Sequence, residues 1–117
     1  MVLTDTSVWI EHLRHGESSL SSRLTDGLVL MHPFVSGELA CGSLKDRPEF
    51  LFFLSALPAA KLATHSEVMT LMEKHRLWGR GLGLVDLHLL ASAILSNCHF
   101  WTFDNKLARA AAELGLD

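Results

Sequence analysis

The stretch that decides the fold lies at the start of the chain and reads Val2-Leu3-Thr4-Asp5-Thr6-Ser7-Val8-Trp9-Ile10. Its first three residues suit a short strand, and an acidic residue follows directly. Thr6 and Ser7 are good helix-capping residues, so we expect a helix that runs through Leu13 and ends at Gly16. A strand that leads into a helix begins a βαβ unit, in which parallel strands alternate with helices.

The rest of the chain continues this alternation. The apolar run 28–31 suits a buried strand, residues 99–103 suit the last strand, and residues 61–63 suit another short one. Helices are predicted over 18–26, 34–44, 48–54, 64–79, 86–95 and 105–114. Thr64 and Glu67 have capping-box spacing, and Trp78 is expected in the core. The fold class is therefore α/β, with a short, mostly parallel central sheet flanked by helices.

Length and composition narrow the class of protein. The chain has 117 residues, which suits a single domain over 1–117, and 49% of them are hydrophobic. No apolar run reaches the roughly 18 residues of a membrane span, and no basic segment followed by an apolar stretch predicts a signal peptide. Cys41 and Cys98 lack metal-binding spacing, so we expect free core thiols in a reducing cytoplasm.

Four acidic residues stand out by their positions. Asp5 and Asp104 follow predicted strands, Asp86 starts an apolar helix, and Glu38 lies inside another. Sites in parallel sheets form beyond the carboxyl ends of the strands. Buried carboxylates without basic partners favour a divalent cation, and oxygen ligands favour Mg²⁺ or Mn²⁺ over zinc. Each acid also has a structural alternative: helix caps at 86 and 104, a turn at 5, and an exposed helix position at 38.

The same segments resemble the PIN-domain family. They are residues 5–10 after a tiny strand, Glu38 within 35–39, Asp86 within 81–91, and Asp104 within 101–107. Together they extend over almost the whole chain in the order of the family. They are most similar to VapC toxins of bacterial type II (VapBC) toxin–antitoxin modules. The resemblance implies a three-layer αβα domain and a cytoplasmic protein.

The resemblance also implies an activity, that of an endoribonuclease toxin dependent on Mg²⁺ or Mn²⁺. One or two ions would activate a water molecule that hydrolyses an RNA phosphodiester bond and leaves a 5′-phosphate and a 3′-hydroxyl. Asp5 and Asp86 are the first choice for direct metal contact, and Glu38 and Asp104 complete the catalytic and metal-binding set. Ser7 and Thr102 flank two of the acids and are predicted to support the site by orienting a carboxylate or a metal-bound water. The alternative role for both is helix capping or packing.

Basic residues near these acids are candidates for contact with RNA. They are Lys74, Arg76, Arg80 and Lys106. A solvated helix face is the alternative interpretation. The net charge of −3 argues against a broad phosphate-binding surface. Without the four acids, however, nine acidic residues remain against ten basic ones, so the net charge does not exclude nucleic acid. Recognition should depend on few contacts and on the shape of the RNA. The resemblance to VapC toxins implies a structured RNA such as a tRNA or an rRNA loop as the target.

Two apolar segments are candidates for partner contacts. VapC-like proteins pair with a VapB-like antitoxin and commonly form homodimers. We expect these contacts through residues 50–57 or 7–13, where Trp9, Ile10 and Leu13 add apolar surface. Alternatively, these residues fill the core.

Two other functions are compatible with the chain. One is a PIN-fold binding or assembly module with weak or no nuclease activity. The other is an aspartate-dependent phosphohydrolase, which Asp5 supports weakly. Ser7 stands where a haloacid-dehalogenase-type enzyme would carry its second aspartate.

Overall fold

A computed structural model describes all residues from 1 to 117. Its helices and strands are, in chain order, β1 (Val2–Thr4), α1 (Thr6–His15), α2 (Ser18–Thr25), β2 (Val29–Leu30), α3 (Pro33–Ala40), α4 (Arg47–Ser55), α5 (His65–His75), α6 (Leu84–Leu95), β3 (His99–Trp101) and α7 (Asn105–Glu113).

The three strands form one parallel sheet in the order β2-β1-β3. Leu3 on the central strand pairs with Leu30 on one side and with Phe100 on the other. The backbone N–H of Asp5 donates to the carbonyl of Trp101 at 3.3 Å, so the contact between β1 and β3 continues past the last strand residue. The α/β class and the three-layer arrangement expected from the sequence are confirmed.

The core lies between the sheet and the helices. Every residue of β1 and β2 is buried, which is why these strands read as continuous apolar runs rather than alternating ones. Trp9, Leu20, Leu90 and Leu107 are each at most 1% exposed and come from four different helices. Helix α5 packs on α6, and α1 packs on α3.

Helix α5 begins as predicted and ends earlier than predicted. The capping box at Thr64 and Glu67 is present in both directions. The helix stops at Arg76, which has a left-handed backbone with φ 52°, three residues before Gly79. Because the chain turns there, Leu77 enters the core and is 2% exposed, whereas Trp78 is 53% exposed. The expected core position of Trp78 is therefore wrong.

The short strand expected at Lys61–Ala63 is also wrong. The carbonyl of Pro58 and the N–H of Ala60 both pair with Met31, so the bridge beside β2 forms at Ala59 instead. Lys61 has already turned away, and its N–H donates to the hydroxyl of Ser96 at 2.9 Å. The backbone hydrogen bonds between Met31, next to β2, and the segment 58–60 therefore end at Ala60.

Apolar side chains of α1 and α4 divide between core and surface. For Trp9 the core alternative holds: the side chain is buried, with its ring edge against Phe50 at 6.2 Å between centroids. Ile10, Leu13 and Phe52 remain exposed. No helix combines the length and the apolar character needed to cross a membrane.

The two cysteines are both free, as expected, but only one of them lies in the core. Cys98 is buried and Cys41 is exposed. Burial raises the pKa of the Cys98 thiol, which favours its neutral form.

Candidate active site

Asp5 lies at the carboxyl end of the central strand and is buried. The hydroxyl of Ser7 donates to one of its carboxylate oxygens at 2.6 Å, and the hydroxyl of Thr102 donates to the other at 2.7 Å. Both hydroxyls also accept a backbone N–H, Ser7 from Phe103 at 3.1 Å and Thr102 from Asp104 at 3.0 Å. The Asp5 carboxylate is therefore fixed between α1 and the end of β3.

The electrostatic environment of Asp5 is unfavourable for a lone charge. Burial raises its pKa above the usual value, and the negative charge of Asp86 raises it further. The hydrogen bonds from Ser7 and Thr102 act in the opposite direction. A cation would stabilise a carboxylate in this position, and no basic side chain of the protein forms an ion pair with it.

Asp86 lies in the first turn of α6, at its third residue. Its Oδ2 atom accepts the backbone N–H of Gly83 at 2.9 Å. The N-cap alternative is wrong for Asp86, since Gly83 holds that position. The reason is that α6 starts at Leu84, two residues earlier than the sequence suggested. The Asp86 side chain therefore lies within the first turn and accepts a hydrogen bond from the residue before the helix.

Asp104 is the N-cap of α7. Its Oδ1 atom accepts the backbone N–H groups of Lys106 at 2.9 Å and Leu107 at 3.2 Å. The capping role considered for this residue is confirmed. The other carboxylate oxygen makes no hydrogen bond and remains available to a ligand.

Glu38 is exposed on α3, not buried within it. Its Oε1 atom accepts the hydroxyl of Thr6 at 2.8 Å, which connects α3 to the first residue of α1. Sequence reasoning treated Thr6 only as a helix-capping residue and missed this contact. The sequence did offer an indication of this contact. Asp5, Thr6 and Ser7 are three consecutive polar residues directly after β1, and not all three side chains can cap the helix that follows.

The carboxylates approach one edge of the sheet without forming a closed cluster. No three Asp, Glu, His or Cys side chains lie close enough together to hold an ion directly. The one ion pair of the protein joins Arg80 to Glu113, so none of the four acids has a basic partner. The possible ligands here are carboxylate and hydroxyl oxygens around a buried carboxylate without a basic partner. They fit a divalent cation that is bound partly through water, as Mg²⁺ usually is.

The basic candidates occupy different positions relative to this edge. Arg80 is paired with Glu113 on α7. Lys74 and Arg76 are exposed at the end of α5. Lys106 lies across Gly81, in the loop before Asp86.

A groove of about 400 Å³ lies beside Glu38, between α1, α3 and the start of α4. Its apolar walls are formed by Ile10, Leu13, Leu39, Leu44 and Phe50. Arg14 and Lys45 lie at the same groove.

The small parallel sheet, with Asp5 at the end of its central strand and hydrogen-bonded through Thr102 to the start of α7, agrees with the fold class that the sequence predicts. Residues 2–113 match the PIN domain family, and the chain belongs to that family. It is similar to Ribonuclease VapC32 of Mycobacterium tuberculosis, from strain CDC 1551 / Oshkosh and from strain ATCC 25618 / H37Rv. Each is 47% identical over 117 residues, covering 99% of this chain and 94% of the relative. The resemblance to VapC-type PIN domains is confirmed.

Proposed function

We propose that this protein is an endoribonuclease toxin that hydrolyses RNA phosphodiester bonds with the help of Mg²⁺ or Mn²⁺. The observation that carries the proposal is Asp5: a buried carboxylate at the end of the central strand, fixed by two hydroxyls, near Asp86 and without a basic partner. The similarity to proteins named Ribonuclease VapC32 supports the same activity.

Each acid has a role that follows from its surroundings. Asp5 and Asp86 would hold the ion, and Glu38 and Asp104 would complete the ligand set, directly or through water. Ser7 and Thr102 keep the Asp5 carboxylate in one orientation, as Thr6 does for Glu38. When bound, the ion would lower the pKa of a water molecule and stabilise charge on the phosphate.

The expected products distinguish this chemistry from that of a 2′-hydroxyl-dependent ribonuclease. No histidine forms a hydrogen bond with any of the four acids, and attack by water does not need the 2′-hydroxyl as a nucleophile. We therefore expect 5′-phosphate and 3′-hydroxyl ends. Mapping of RNA ends after incubation with the purified protein checks this, and a 2′,3′-cyclic phosphate would contradict it.

The test of the function compares two aspartate variants. Asp5→Asn keeps the size of the side chain and removes its charge, so we expect a folded protein that no longer cleaves RNA. Asp26→Asn is the matched control, since Asp26 is an exposed residue at the end of α2, and it should cleave like the wild type. Activity should vanish with EDTA and return with Mg²⁺ or Mn²⁺. Full cleavage by a folded Asp5→Asn variant would refute the proposal.

An assembly module without nuclease activity is the second candidate, and the groove beside Glu38 favours it. In that case the wild type would bind a partner and leave RNA intact with either metal. An aspartate-dependent phosphohydrolase would instead cleave a simple phosphomonoester. The RNA-cleavage assay and the phosphomonoester assay can be run on the same purified wild-type protein.

The proposed function brings partners with it. The groove between α1 and α3 suits apolar side chains of an antitoxin peptide similar to VapB, which would cover Ile10 and Leu13 next to the catalytic edge. The substrate would be a structured RNA such as a tRNA or an rRNA loop, and the toxin would act in the cytoplasm. Protection of these two side chains in a complex with a VapB-like antitoxin would support the groove assignment, and an unchanged exposure would contradict it.

A further inference from the structure

The side chain of Lys106 lies directly over Gly81. A Cβ atom placed on Gly81 would be 3.0 Å from Cδ and 3.1 Å from Nζ of Lys106. Gly81 also has a φ of +78°, a conformation that side chains rarely adopt. Glycine at position 81 thus serves the turn and leaves the space that the lysine occupies.

This contact spans the gap between two acidic segments. Lys106 comes two residues after Asp104, and Gly81 comes two residues before Gly83, whose N–H holds Asp86. The ammonium group therefore lies against the loop that leads into α6 and Asp86, on a side chain two residues after Asp104. It forms no ion pair with either acid.

The neighbouring arginine has a different environment. Arg80 forms an ion pair with Glu113, so its charge is compensated within the protein. The pair connects α7 to the loop of residues 79–83, which contains three glycines. Lys74, Arg76 and Lys106 form no ion pair, and of these three it is Lys106 that lies across the loop before Asp86. An acidic site repels phosphates, and a cation beside it offsets that repulsion.

We propose that Lys106, held across Gly81, binds a phosphate group of the RNA strand at the catalytic edge, and that Arg80 does not contact RNA. The inference rests on the proposed ribonuclease function and assigns one phosphate contact within it. Gly81 acts as a positioning residue, because an added methyl group would displace the end of the flexible lysine side chain.

The decisive experiment compares two glycines of the same loop. Gly79 has a φ of +70° and nothing within 4 Å of an added Cβ, so Gly79→Ala introduces similar backbone strain without touching Lys106. Both alanine variants should lower the melting temperature to a similar extent. Only Gly81→Ala should weaken RNA binding.

Binding is measured with a labelled single-stranded RNA of mixed sequence, using the Asp5→Asn background so that the RNA stays intact. One lost phosphate contact reduces the slope of log K against log salt by about 0.7. We expect that reduction for Lys106→Gln and for Gly81→Ala, and an unchanged slope for Gly79→Ala, Arg80→Gln and Lys106→Arg.

Two results would overturn the inference: an unchanged slope for Lys106→Gln, or equal losses for the two glycine variants, which would attribute the effect to loop strain. Failure of the proposed function is a separate observation, namely a wild-type protein that does not cleave RNA with Mg²⁺ or Mn²⁺. If the wild type cleaves RNA while the Lys106→Gln slope is unchanged, the lysine assignment alone is wrong.

Discussion

Thr102 shows how a single hydroxyl connects residues of the candidate site. It donates to Asp5 at 2.7 Å and accepts the backbone N–H of Asp104 at 3.0 Å, so it connects two acids that are 99 positions apart in the chain. Its neighbour Ser7 does the same for Asp5 and Phe103. Two small polar residues thus fix the position of β3 relative to the first helix.

Removal of the Thr102 hydroxyl should lower the stability of the protein. Thr102→Val keeps the shape and leaves the partly buried N–H of Asp104 and one oxygen of the buried Asp5 carboxylate without partners, at a cost of about 1–3 kcal/mol. Thr25→Val is the control, because Thr25 bonds only the carbonyl of Ser21 at an exposed position; it should change stability by less than about 0.5 kcal/mol. Urea unfolding measures both, and equal effects would contradict the assigned role.

His32 is a residue whose role the sequence did not reveal. It is 2% exposed and caps α3, its Nδ1 atom accepting the N–H of Phe34 at 2.9 Å. Burial lowers the pKa of His32 to about 4, and the charge of His88, whose ring also packs against Phe34, contributes. Neutral imidazole is needed for this cap, since a protonated ring has no acceptor.

The lowered pKa of His32 predicts acid sensitivity. The unfolded chain takes up this proton below pH 6.5 and the folded protein only near pH 4, so stability is complete above pH 6.5 and falls as the pH decreases toward 4. The loss is at most about 3 kcal/mol. His32→Asn keeps a capping side chain that does not titrate. Its free energy of unfolding should depend less on pH between 6.5 and 4; identical pH profiles would contradict the assignment.

At the scale of elements, the helix starts were more predictable than the helix ends. The capping box of α5 and the cap of α7 are local patterns of three or four residues, and both formed as expected. The end of α5 is where Leu77 enters the core and Trp78 stays exposed. That choice is a matter of tertiary packing, in which α5 lies against α6. Helix α6 started two residues before Asp86 for a similar reason, since Val85 packs against the core.

The capping box offers a test at this scale. Thr64→Ala removes the acceptor for the N–H of Glu67 and should destabilise the protein by about 1 kcal/mol. Thr64→Ser keeps the hydroxyl and should recover most of that loss. Thermal unfolding of the two variants is the measurement, and equal melting temperatures would show that the cap contributes nothing to global stability.

At the scale of the molecule, the outer face of α4 is the most exposed aromatic surface. Phe52 and Phe53 are 76% and 43% exposed, while Leu54 on the other side of the helix is buried. Exposed aromatic side chains on one helix suit a contact with a second copy of the chain. We therefore propose this face as a contact of the homodimer that the resemblance to VapC-like proteins implies.

The homodimer can be tested with one charge. Phe52→Glu should shift a wild-type dimer to a monomer in size-exclusion chromatography with light scattering, because a carboxylate would be desolvated in the contact. Met69→Glu, at an exposed apolar position on α5, is the control and should leave the mass unchanged. A monomeric wild type would end the dimer proposal.

The sequence by itself determined the alternation of the three strands with helices, the caps of α5 and α7, and the choice of four candidate acids. These features depend on residue type, on periodicity over a few positions and on the rule that parallel strands share a carboxyl edge. The tertiary structure decided that Asp5 is buried while Glu38 is exposed, that Trp9 and not Trp78 fills the core, and that Lys106 lies over Gly81. Each of these joins residues distant in the chain. Such contacts depend on how helices pack around the sheet, and no local propensity specifies that packing.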